Sequence, residues 1–422
     1  MSLDTKLPEL VSEHEPAEGI KTLIHHRDDN PTLAVYGSLR AGTSSEPAGK
    51  SGLAELTSRL FIRGSNDLGA EKIADQLESV GASISFRNSQ DSIVFQAKTT
   101  SPWTERVLGI LAECLARPGF DESDIQKEKE ILLTDIRLRD DNTTRRGMRE
   151  LHRLVYPPNH PYSRDRFGTS DTVKKLERGD IAEYFDHVVK KSPVVVAFAG
   201  QLKDNIVLGW TTETFGVRQP DEKMPTSAIE SRTEASTQEI VMPHKTQADI
   251  LIGCQATSRT EPDYEPLNLL NVILGELGFM GRLGDKIRDR EGLAYSASSF
   301  INAGLIGGNW TAIAGVNPKN LNNALELMHQ ELDKARTRPV QGKELASAKQ
   351  NQIGSALMEL ESTDGIARTS HNLAHFNLGL DYFSNRRKLY KNIDRKALLR
   401  IAQKYLDPSR LSTVIVGPKA RF

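Results

Sequence analysis

Two cysteines are all that this 422-residue chain contains. Cys114 and Cys254 lie in apolar stretches of different halves, which reads as two buried free thiols rather than a disulfide or a metal pair. Net charge is nearly absent as well: 55 basic and 56 acidic side chains leave −1. That balance gives no electrostatic ground for nucleic acid or an anionic membrane as the main partner. No run of about 18 apolar residues occurs, so no segment reads as a membrane-spanning helix. The N-terminus is acidic and polar, unlike a secretory leader. A cytoplasmic protein is the expectation, with the periplasm as the alternative if a leader was removed ahead of Met1-Ser2-Leu3. A phosphate loop is missing too. Gly49-Lys50-Ser51 has its ending, but the position that needs glycine is Ser44.

What the chain does have is an ordinary globular composition, 38% hydrophobic and 26% charged. Its length exceeds what one core organises, so two or more domains are expected. Residues 20–205 and 237–418 read as two copies of one plan. Each copy opens with paired strands, at 20–26 and 32–41, then at 238–243 and 248–256. A helix follows, at 52–63 and at 266–277. A hairpin of period-two alternation comes next, 82–87 with 92–97 and 294–300 with 308–315. Long helices at 103–116 and 122–139 are answered by 320–335 and 342–361. Each copy closes with a helix and a buried strand ending in Gly200 or Gly417. The pattern predicts an α+β fold of two duplicated domains, 20–217 and 238–420. Each is a mixed or antiparallel sheet covered by helices on one side. Polar residues 218–237 read as a linker. Extended, roughly 20 residues span on the order of 60 Å, enough for the domains to face each other as a clamshell.

The helix at 52–63 carries the chemistry. Leu53, Leu56 and Leu60 recur at helical spacing and give it one buried side. Its flanks are Arg40-Ala41-Gly42, Gly49-Lys50-Ser51-Gly52-Leu53-Ala54 and Phe61-Ile62-Arg63-Gly64-Ser65. Further along stand His160-Pro161-Tyr162 with Gly168-Thr169, and the run from Leu283 through Arg288 and Glu291-Gly292-Leu293-Ala294 to Tyr295. With these motifs the chain resembles the insulinase/pitrilysin family, which includes the mitochondrial processing peptidases, over nearly its whole length. The resemblance implies a peptidase-like fold and a role in handling peptides. Family members with activity carry H-x-x-E-H on this helix, two zinc-binding histidines and a base. Here those three positions hold Glu55, Ser58 and Arg59. The family's third ligand is a glutamate on a later helix, with another glutamate seven residues before it. The matching distance from Glu55 falls on or next to Asp135, and Glu128 stands seven residues earlier. In the second half, the family uses an arginine and a tyrosine seven residues apart to hold the substrate backbone. Arg288 and Tyr295 match both identity and spacing.

Two carboxylates, a hydroxyl and a guanidinium are a poor zinc set, and a fixed positive charge at Arg59 repels a dication. Glu55 precedes Arg59 by four residues, the favourable order for a helical ion pair. The expectation is that Arg59 bridges Glu55 and Asp135 in place of the metal. Ser58 has no base of its own and cannot replace the lost glutamate. No catalytic residue and no cofactor are therefore expected in this chain, with zinc only in a partner. The resemblance implies a non-catalytic subunit that binds an unstructured peptide and supplies Arg288 and Tyr295 to a homologous zinc-bearing partner. The alternative it allows is a structural protein like the core subunits of respiratory complexes, with a homodimer as the form in isolation. Smaller signals take structural readings. His371 and His375, one turn apart, form a helical pair without an acid beside it, and His25-His26 mark a polar strand edge. Residues 82–87 also have the pattern of a sheet edge able to add a peptide strand.

Overall fold

The computed structural model describes residues 7–218 and 234–418. Most of the expected linker falls outside the described residues, and Thr237 already opens a strand. The first sheet contains β1 (Val11–Ala17), β2 (Ile20–His26), β3 (Thr32–Leu39), β4 (Ser83–Asn88), β5 (Ile93–Thr100) and β6 (Val194–Gly200), in the order β1-β2-β6-β3-β5-β4. The second contains β7 (Thr237–Val241), β8 (Ala248–Ala256), β9 (Ala294–Ala303), β10 (Gly308–Val316) and β11 (Ser412–Gly417), in the order β7-β11-β8-β10-β9. Without β1 the two orders are the same, which is the duplication expressed as topology. Each sheet is mixed, because β2 runs parallel to β6 and β7 parallel to β11 while the other ladders are antiparallel.

This order corrects one expectation. The opening strands do not pair with each other, because the closing strand inserts between them. β6 bonds to both β2 and β3, and β11 to both β7 and β8. The inserted strands are the apolar runs Val194–Gly200 and Ser412–Gly417, and nearly every residue in them is buried. A strand with neighbours on both edges and cover on both faces needs such a run. His25 is likewise no strand edge. It is buried inside β2, with Nδ1 2.8 Å from the Leu10 carbonyl oxygen. β1 was not anticipated, since its sequence holds Glu13, Glu15 and Pro16. It is an edge strand, where proline and charge are tolerated.

The described residues form two compact units that are not contiguous in sequence. One takes residues up to Ile136, 164–218 and Ala356–Asn385; the other takes Arg137–Ser163, 234–355 and 386–418. The division at the linker is thus modified by two exchanged segments, and helices cover both faces of each sheet rather than one. In the first sheet, Leu33, Val35 and Leu39 point into the main core with Leu56, Leu60 and Phe61. Ala34 and Tyr36 point the other way, against Ile366, Ala367 and Leu373 of the Thr363–His375 helix. In the second sheet, Ile250 and Ile252 face the larger core. Leu251, Val414 and Val416 meet Leu151 and Val155 of the Thr143–Val155 helix. Cys114 and Cys254 are buried free thiols in the two main cores. Among the described residues, no helix is long and apolar enough to cross a membrane.

Gly37 shows how tightly the first sheet is filled. It lies directly opposite Phe95 in the β3–β5 register, and a Cβ there would stand 2.1 Å from the Phe95 ring. Overpacking a rigid core costs about 1–3 kcal/mol. Gly37→Ala is expected to lose that much in urea denaturation. A loss below about 0.5 kcal/mol would mean that the buried ring can swing aside.

Candidate functional site

The Leu53–Leu60 helix is short and fixed at its start. Gly52 sits at φ +97°, a left-handed conformation that costs a side-chain-bearing residue, and a Cβ there would also press on the Phe167 carbonyl. The buried Glu46 carboxyl accepts the Gly52 and Ala54 amides at 3.1 and 2.9 Å, satisfying donors at the helix N-terminus. Gly168, at φ +70°, packs closer still, and a Cβ there would stand 2.3 Å from the Ser51 carbonyl oxygen. These two glycines let the loop at 164–169 lie across the helix, and so bring Arg166 and Phe167 over it.

Leu53, Leu56 and Leu60 face the core, as the spacing predicts. The three positions of the metal motif lie on the same short helix. Glu55 is only 7% exposed. Arg59 Nε donates to Glu55 Oε1 at 2.9 Å, and Arg59 Nη2 contacts Asp135 Oδ2 at 2.8 Å from the Glu122–Asp141 helix. One guanidinium therefore joins the two carboxylates. Burial alone would lower its pKa, but the charge of Glu55 and the hydrogen bonds to Asp135 and Glu55 outweigh that and raise it above its ordinary value. The second oxygen of Glu55 has Arg166 Nε at 3.7 Å. The Phe167 ring lies near both arginines, its centroid 5.9 Å from Arg59 Cζ and 4.6 Å from Arg166 Cζ.

Glu128 does not join this bridge. It is buried against Arg63, which pairs with it. Ser58 is 1% exposed, and its hydroxyl donates to the Glu55 carbonyl at 2.8 Å, so it is tied to its own helix. Arg63, Arg166, Phe167 and Glu46 were missed as parts of this site. Arg63 was open to inference, since it lies one turn beyond Arg59 and so faces the same neighbouring helix. The other three reach the site through loop geometry that spacing does not encode.

A zinc ion does not fit these residues. The two carboxylates nearest the motif are engaged by a cation, and the hydroxyl is spent on the backbone. Among the described residues, no three His, Cys, Asp or Glu side chains group to hold a metal. His371 and His375 are core residues. His371 Nε2 lies 2.8 Å from Ser38 Oγ, and His375 Nδ1 lies 3.2 Å from the same atom.

Arg288 and Tyr295 belong to the second unit. Arg288 sits in the Gly284–Arg290 π-helical segment, with Nε donating to Asp289 Oδ1 at 2.7 Å and Nη1 3.7 Å from Met280 Sδ. Tyr295 is the second residue of β9, an edge strand, and its side chain is 76% exposed. β4 is its counterpart in the first unit, an edge strand that pairs with β5 alone among the described strands.

Residues 22–169 match the model of the family described as "Insulinase (Peptidase family M16)", and residues 175–352 match "Peptidase M16 inactive domain". The chain belongs to the insulinase family. An "Uncharacterized zinc protease YmxG" of Bacillus subtilis is 22% identical over 84% of this insulinase-family chain and 86% of its own length. A "Non-peptidase homolog YmxG" of Helicobacter pylori is 21% identical over 93% and 90%. The "Mitochondrial-processing peptidase subunit beta" of Blastocladiella emersonii is 22% identical over 93% and 86%. Among solved structures, a peptidase M16 inactive domain from Pseudomonas fluorescens superposes with a TM-score of 0.88 at 22% identity, over 97% of this chain and 98% of that one. That likeness establishes the two-domain M16 fold.

Proposed function

We propose that this insulinase-family protein is a non-catalytic subunit that holds no zinc and grips peptide for a homologous, zinc-bearing partner. The observation that carries the reading is Arg59, whose guanidinium joins Glu55 and Asp135 where active members of the family keep their ligands. A site neutralised by a fixed cation has no water-activating ion and no base, which removes hydrolysis but not binding. Peptide binding falls to Arg288 and Tyr295. Both are hydrogen-bond donors suited to a substrate carbonyl, and the exposed Tyr295 on an edge strand is open to an incoming chain. Relatives described as a non-peptidase homolog and as one subunit of a processing peptidase support the reading.

The test is cleavage of an unstructured peptide by the chain alone, and by the chain mixed with an H-x-x-E-H-bearing homologue from the same genome. Turnover is expected only in the mixture. Arg288→Ala or Tyr295→Phe is expected to reduce it by about 100-fold, the loss typical of removing one oxyanion donor. Turnover by the chain alone would overturn the reading. So would a mixture indifferent to both substitutions.

A further inference from the structure

The second unit contains an open cleft of about 450 Å³ whose lining is almost wholly charged. A stripe of basic side chains forms one wall. Arg282, Lys286 and Arg290 recur every four residues along the helical run from Leu277 to Arg290 and so share one face. The last turn of the Leu321–Thr337 helix and the residue after it supply Lys334 and Arg338 opposite. Three acids also line the cleft, and each already holds a cation. Glu344 engages Arg282 through both oxygens at 2.7 Å. Glu331 takes Lys334 at 2.6 Å, and Asp285 takes Arg290 at 2.8 Å. Five cations against three acids leave the lining two charges positive.

The cations differ in how firmly they are held. Arg282 and Lys334, on the two walls, are fixed by acids that are buried or half-buried. Arg290 and Asp285 are both mostly exposed, so their pair is weak and free to exchange. Lys286 reaches out of the cleft to Glu291 at 2.6 Å. Arg338 is exposed and makes no ion pair or side-chain hydrogen bond among the described residues. Three cations can thus turn to a guest without uncovering a buried acid. The volume suits a small molecule, and the polar lining offers nothing to an apolar one.

We propose that this cleft binds a small polyanion, a phosphate compound bearing two or more negative charges. Two guanidinium forks and an ammonium supplied from two walls can engage several phosphate oxygens at once. The proposal is independent of the peptide-binding reading, because Arg288 and Tyr295 are not among the lining residues.

Calorimetric titration of the full chain with tripolyphosphate at low salt tests it, with citrate and sulfate at matched ionic strength as comparisons. Saturable one-to-one binding of tripolyphosphate is expected, with sulfate inert. The double variant Lys286→Ala/Arg338→Ala is expected to weaken it by at least about 30-fold, as two charge-assisted contacts are lost. Circular dichroism confirms that the variant is folded, and Arg290→Ala gives a second, independent loss. No saturation by about 5 mM, or equal affinity in the variants, overturns the site. Citrate binding as tightly as tripolyphosphate also overturns the phosphate assignment, and gives the cleft to polycarboxylates.

Discussion

Acidification below pH 6.5 is expected to destabilise the first unit progressively through His371, which is buried, and His375, which is partly buried. His371 and His375 stack at 5.5 Å under Ser38 of β3, with the Tyr36 ring 4.9 Å from His371. Burial pushes His371 down to about 3, helped by the charge His375 would carry. It pushes His375 down to about 4, helped by the Arg40 charge at the end of β3. The folded values lie below the unfolded value near 6.5, so this stability is complete above pH 6.5 and is lost as pH falls towards 4 and 3. Both shifts act in the same direction, so the two histidines add to the loss of stability on acidification. Glu46 acts in the opposite sense. Burial raises its carboxyl to about 8 against the hydrogen bonds from Ala54 and Gly52, so its contribution is complete below pH 4.5 and is lost as pH rises through 8. Stability should therefore peak near pH 6.5. In thermal melts from pH 4 to 9, His371→Gln/His375→Gln should flatten the acid limb, and Glu46→Gln the alkaline one. An acid limb unchanged in the double variant would show that other groups drive it.

Arg59→Ala is expected to cost about 3 kcal/mol in urea denaturation. A typical surface pair is worth less than 1 kcal/mol, but removing one partner of a buried pair costs about 3–5. Glu55 is the buried member, and without Arg59 it keeps only Arg166 at 3.7 Å. Asp135 is more than a third exposed and can turn to water, which places the estimate at the lower end of that range. Replacing the charges together, as Glu55→Gln/Arg59→Met, should recover most of the loss, because nothing charged is then left unpaired. Arg59→Lys should recover less, since an ammonium lacks the fork that reaches two helices. A loss below about 1 kcal/mol for Arg59→Ala would show that the bridge is ornamental and the helix held by its leucines alone.

The bridge was largely legible before the structure. Glu55 and Arg59 are one helical turn apart, and the count to Asp135 needs only two helices in a known arrangement. The hairpins and long helices were legible for the same reason, since their periodicity is local. The insertion of β6 and β11 was not, because which strands pair across more than a hundred residues leaves no trace in spacing. A clue to the second layer of helices does stand in the sequence. Leu33-Ala34-Val35-Tyr36 and Ile250-Leu251-Ile252 are apolar at successive positions, so both faces of these strands required cover. The sequence does not say which helix supplies it. Glu46, Arg166 and Phe167 were invisible for a different reason. They meet the site only because Gly52 and Gly168 adopt backbone conformations that composition does not announce.

The crossing of Thr143–Val155 and Thr363–His375 to opposite sheets ties the fates of the two gene halves together. Severed at residue 225 and produced separately, each fragment would present a bare, sticky sheet plus an orphan helix with nowhere to dock. Mixed, they should rescue one another. Ancestral fission or independent shuffling of these halves is thus disfavoured by construction, although each carries a full set of paired strands.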